Sequence, residues 1–183
     1  MLSKRQIFPI NLMYARLLYR CYLYRLNGSH KLNFGAKKQK NKNLKHKAQF
    51  AFLTYLGDNK KKITVLHSEP DAAFLTDDQF KLISGILTAC KLSMADIALV
   101  NLAHQKMHFQ EIKQQLHPQF LILFDISPAS IELPFTIPPY QIQDYNNCKM
   151  LVAGSLQYMT IENEEVKKEK ILLWNALRKM FSI

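Results

Sequence analysis

The run Phe120 to Phe124, Phe-Leu-Ile-Leu-Phe, is entered through His117-Pro118 and left through Asp125 and Ser127-Pro128. Five unbroken apolar residues between breakers offer no polar face to water, so they suit a strand covered on both sides, as in the middle of a parallel sheet. Similar runs stand at Ile63 to Leu66 and Ile97 to Leu102, and a shorter one at Met150 to Ala153, with helix-like patterns between most of them. That alternation predicts a three-layer α/β domain over residues 60–183, its four-stranded, mainly parallel sheet lying between helices.

Charge has to be placed before it is interpreted. The chain carries a formal net charge of +11, but residues 1–57 hold twelve Lys or Arg and no acid, while the other 126 residues hold thirteen bases and fourteen acids. The basicity therefore belongs to a leader and not to the domain. Residues 1–47 read as a disordered basic leader, or as sequence upstream of the true start. Residues 27–47 in particular are rich in Lys, Asn and Gln and too poor in apolar groups to offset the entropy of ordering them. The alternatives are that residues 1–26 form a basic, Tyr-rich amphipathic helix on a membrane surface, or that residues 1–47 bind nucleic acid. Spanning is not expected of Ile7 to Leu26, because Arg16, Arg20 and Arg25 interrupt it and each would cost about 2.5 to 3.5 kcal/mol near a bilayer centre. Cys21, Cys90 and Cys148 are odd in number and widely scattered, which points away from a disulfide framework and towards a reducing, cytoplasmic setting.

Ala48 to Gly57 has a different character. Phe50, Leu53 and Leu56 recur at three-residue spacing, Phe52 and Tyr55 flank them, and Gly57 stands where a C-cap would. The pattern predicts one short helix, either packed on its own domain or offered to a partner through Phe50, Phe52, Leu53, Tyr55 and Leu56.

Further along, Thr76 and Gln79 form a capping box that opens a helix from Asp77 to about Cys90, and a weaker helix is expected within His104 to Leu116. The segment from Ser127 to Asn147 contains four prolines and reads as a surface loop or as padding. A last helix opens at Asn163, Glu164 and Glu165 and carries Leu173, Trp174 and Leu177 towards Phe181, with Trp174 expected in the core.

Taken together, several of these features resemble the psi subunit of bacterial DNA polymerase III. They are Leu75-Thr76 opening a helix, Ile86 to Ser93 closing it, the strand at Ile97, the Ser155-Leu156 turn, and Lys170 with Leu173-Trp174 in the terminal helix. The resemblance covers roughly residues 50–181. It implies a uracil-DNA glycosylase-like fold without glycosylase catalysis, in a non-enzymatic accessory protein of the clamp loader. Phe52 to Gly57 would be the peptide anchoring it to loader subunits. A second accessory subunit would be a further partner, and nucleic acid would be met only indirectly or through the basic leader. No cofactor is implied.

A glycosylase-like repair enzyme is the runner-up. Such chemistry needs an oriented water and a stabilised leaving base. The loop after the first strand, His67-Ser68-Glu69-Pro70-Asp71, offers Glu69 but no glycine, and Ala153-Gly154-Ser155-Leu156 offers no histidine. Glu69 is therefore expected to be a solvated loop acid. His104 and His108 would share a helix face, yet only Glu111 lies near enough in sequence to complete a metal set.

Overall fold

The computed structural model describes residues 52–183. Phe50, the first part of the expected short helix, and the basic leader lie outside these residues.

Four parallel strands form the sheet, β1 (Ile63–His67), β2 (Ile97–Asn101), β3 (Phe120–Phe124) and β5 (Cys148–Ala153). The sheet has a fifth strand, β4 (Ile142–Tyr145), which pairs antiparallel with β5 at the edge, so the expected count of four is corrected. The spatial order is β2-β1-β3-β5-β4, and in the middle of the sheet Val65 stands level with Leu99 on one side and Ile122 on the other. β4 exists because Asn146 and Asn147, with φ of 52° and 60°, supply the two left-handed residues of a tight hairpin turn.

Side chains of a strand alternate between faces. On one face Leu66, Ala98, Val100, Leu121, Leu123 and Met150 pack with Phe109, Ile112 and Leu116 of α2 (Phe109–Leu116). The proline-rich segment joins the same core through Ile131, Leu133 and Ile137, and is therefore padding that covers the sheet. Tyr145 binds the layer together, its ring 4.8 Å from Phe135 and 5.8 Å from Phe109. The opposite face meets α1 (Asp77–Ala89), the one-turn helix α3 (Leu156–Met159) and α4 (Glu164–Phe181). Phe120 packs edge-on against Phe181 there, with ring centroids 5.1 Å apart.

The helix starts follow local chemistry. Thr76 Oγ1 accepts the Gln79 N–H while Gln79 Oε1 accepts the Thr76 N–H, which is the expected capping box, and Asn163 Oδ1 accepts the Val166 N–H at 2.7 Å. α2 begins only at Phe109, so His104 and His108 do not share a helix face.

Residues 52–57 form no helix, and this overturns the expected short helix there. Leu56 instead exchanges both backbone hydrogen bonds with Leu99 on the outer edge of β2, each 2.8 Å long. The Thr54 N–H donates to Gln105 Oε1 at 3.0 Å, Gln105 Nε2 donates to Thr54 O at 2.6 Å, and the Leu53 N–H donates to Gln115 Oε1. These long-range bonds satisfy the backbone groups that a turn of helix would have used, and a lone helix this short is marginal in water. Gly57 is not a C-cap either. Its φ is +104°, and a Cβ there would lie 2.2 Å from Ile97 O and 2.4 Å from Met94 O, so the close approach of backbone to backbone requires glycine. Leu53 reaches the core, so the folded domain begins before residue 60. Among the described residues no helix is long and apolar enough to cross a membrane.

Candidate functional site

In open sheets with parallel strands, ligands favour the crevice beyond the carboxyl ends where the connections diverge. Here that point lies between β1 and β3, since the chain leaves β1 for β2 on one side while β3 lies on the other. The loop after β1 carries Glu69, the carboxylate assigned to the glycosylase-like reading.

Glu69 is only 6 % exposed, contrary to the expected solvated acid. Its Oε2 accepts Gln79 Nε2 at 2.5 Å and its Oε1 accepts the Asp71 N–H at 3.2 Å. Gln79 Nε2 also reaches Gln157 Oε1, tying α1 to α3. Asn101, at the end of β2, clamps the same loop. Its Oδ1 accepts the Glu69 N–H, and its Nδ2 donates to Glu69 O at 2.7 Å and to Ala72 O at 3.0 Å. A buried carboxylate has to be hydrogen-bonded to be tolerated, and these partners meet that need. Every bond named here holds the loop in place.

Beside this loop His67 ends β1 on the face of Ile63 and Val65. It is 2 % exposed, and neither ring nitrogen has a hydrogen-bond partner. Burial lowers its pKa to about 4, against a smaller opposing pull from the Glu69 charge, so the ring is neutral at ordinary pH.

The second loop of interest, Ala153 to Leu156, is also structural. Ser155 Oγ accepts the Tyr158 N–H as the N-cap of α3. The Gly154 N–H donates to Tyr140 Oη at 3.1 Å, and Tyr140 Oη donates to Glu169 Oε1 at 2.5 Å. These groups border a cleft of about 390 Å³ at the carboxyl ends of β3 and β5, with Asp125 and Ser127 on its other side. Tyr140 carries no sequence signal beyond its place after Pro138-Pro139; the structure sets it at φ +60°. Burial, and the bond to Glu169, raise its pKa well above the ordinary tyrosine value, so it stays a protonated donor.

His104 Nε2 contacts Ala72 O at 2.9 Å, and His108 Nδ1 lies 3.2 Å from Glu132 Oε1. Among the described residues no three His, Cys, Asp or Glu side chains come together as a metal set.

The expected partner-binding residues divide into two groups. Leu53 and Leu56 are each 9 % exposed and turn into their own domain, while Phe52 is 95 % exposed and Tyr55 is 36 % exposed. The three-residue repeat thus marks the inward side of an extended, pinned segment, and the flanking aromatics mark the outward side.

The chain matches no protein-family model, and no curated protein sequence matches it.

Proposed function

We propose that this chain is a non-enzymatic accessory protein of DNA replication, attached by protein contacts to clamp-loader subunits of bacterial DNA polymerase III, with a second accessory subunit as a further partner. On this reading its architecture is a uracil-DNA glycosylase-like fold put to non-catalytic use. The observation that carries the reading is Phe52, an almost fully exposed aromatic on a segment whose neighbours are fixed by Gln105, Gln115 and Leu99. A large apolar side chain held out to water on a segment fixed by its neighbours suits an anchor, because little entropy remains to be lost on docking. The commitment of Glu69 to internal hydrogen bonds supports the non-enzymatic part of the reading.

The test is co-purification of the full chain with purified clamp-loader subunits, alongside the Phe52→Ala and Tyr55→Ala double variant. Retention of wild type and loss with the variant, at unchanged melting temperature, is the expected result. Failure of every loader subunit to retain the wild-type chain would sink the proposal. Release of uracil from a duplex by wild type, lost in Glu69→Gln, would replace it with the repair-enzyme reading.

A further inference from the structure

Away from the carboxyl ends of the strands, α1 and α4 lie side by side and leave a groove of about 380 Å³ between them. Leu82, Ile86 and Ala89 form one wall, and Leu173, Trp174 and Leu177 form the other. Trp174, expected in the core, is 36 % exposed here, and Ile171, one turn earlier on the same side of α4, is more exposed still. A Cβ built on Gly85 would have no atom within 4 Å, so the α1 wall leaves open space there for an incoming side chain. The span from Lys81 to Ala89 is about 12 Å at 1.5 Å per residue, the length of two turns of a partner helix.

We propose that this groove docks an acidic amphipathic helix of another protein, with an apolar side chain seated over Gly85 and carboxylates on both rims. Charge identifies the occupant. The two charged residues that border the groove are Lys81 and Lys170. From Lys168 onward, past the Lys167–Glu164 ion pair, α4 carries Lys168, Lys170, Arg178 and Lys179 against a single acid, Glu169, whose carboxylate bonds to Tyr140. Lys170 forms no ion pair among the described residues, and Lys81 pairs with Asp78 only as an exposed contact of 3.0 Å, which a partner carboxylate can displace at small cost. A second copy presenting the same face would set lysine against lysine. A nucleic acid would satisfy the lysines but would leave the walls of Leu82, Ile86 and Leu173 without an apolar partner. The inference shares with the accessory-protein reading the expectation of a protein partner, but it concerns a different surface.

Trp174 is the sole tryptophan of the chain, so its fluorescence reports on the groove directly. The probe is a stapled synthetic helix of about 14 residues, a length at which unstapled helices are marginal. It carries leucines on one face and glutamates beside them, and its counterpart has lysine for each glutamate. The full chain is expected to show a saturable blue shift with the acidic helix and binding at least about tenfold weaker with the basic one. Lys81→Glu with Lys170→Glu should reverse that preference. Gly85→Leu should fill the open space and weaken binding about tenfold or more while leaving the melting temperature no lower than wild type. No shift with the acidic helix, equal binding of both helices, or unimpaired binding by Gly85→Leu would each overturn the proposal. So would a shift produced by oligothymidine through the same two lysines in the absence of one from the acidic helix. The same variants are scored for retention by loader subunits. Peptide binding without loader retention removes the accessory role and leaves the groove standing. Retention without peptide binding does the reverse.

Discussion

The Tyr140 hydroxyl stands between Glu169 and the backbone of Gly154, donating to the carboxylate at 2.5 Å and accepting the Gly154 N–H at 3.1 Å. One phenol therefore joins the proline-rich segment, the end of β5 and the middle of α4. Tyr140→Phe removes both bonds, leaving the N–H unpaired and the carboxylate without its donor, and should cost about 1 to 3 kcal/mol in chemical denaturation. The sign with pH follows from the raised pKa. The folded chain holds this proton more tightly than the unfolded one, so its contribution is complete below the ordinary tyrosine value near 10 and fades as pH rises above it. The variant should show a flatter alkaline limb, and an unchanged limb would contradict the assigned hydrogen bond.

His67 adds to the acid limb. Its pKa falls from 6.5 to about 4 on folding, so between those values the unfolded chain binds a proton that the folded chain refuses. Stability should be intact above pH 6.5 and should decline as pH falls towards 4, by on the order of 3 kcal/mol in full. His67→Leu removes the unpartnered ring nitrogens and should melt at or above wild type at pH 7, with the decline below pH 6.5 much reduced. Parallel acid limbs for the two proteins would rule this account out.

Glu69→Gln places an amide where Gln79 Nε2 and the Asp71 N–H now meet a carboxylate. At most one of the two acceptors survives, and a loss of about 1 to 3 kcal/mol is expected. Hydrogen exchange should report faster opening confined to residues 68–76 and the start of α1. Wild-type stability would mean that the carboxylate is kept for something other than holding its loop.

Leu56 and Phe52, four residues apart, should respond in opposite ways. Leu56→Ala opens a space beside β2 and should cost about 2 to 5 kcal/mol. Phe52→Ala should leave the melting temperature within experimental scatter, because the side chain touches almost nothing of its own domain. Equal destabilisation by both changes would refute the division of this segment into inward and outward residues.

The strands were legible because a buried parallel strand has a purely local signature. Ile63–His67 and Phe120–Phe124 stand where their apolar runs and flanking breakers put them, and the Thr76 and Asn163 caps follow from neighbours three residues away. What escaped the sequence depends on distant residues. Whether Leu56 is helical is decided by Leu99, and whether Glu69 meets water is decided by Gln79 and Asn101. Ile142 to Tyr145 has no strand signature of its own, because only its two end residues are apolar and its pairing is decided by β5 across the hairpin. Trp174 lies on the flank of its helix, where a wheel of one helix cannot tell a core contact from a groove wall beside another.

The bridge between Leu56 and Leu99 also governs how the protein behaves in a crowd of its own kind. β2 is the outermost strand on its side, and Leu56 and Asn59 take up hydrogen-bonding groups of Leu99 and Ile97 that would otherwise face outward. A chain trimmed to begin at residue 60, the start that the alternation of strands and helices predicts for the domain, would bare that row as a template for another molecule's backbone. Such a fragment should form concentration-dependent aggregates while the longer chain stays dispersed, so the few residues ahead of the first strand act as the sheet's guard against self-templating.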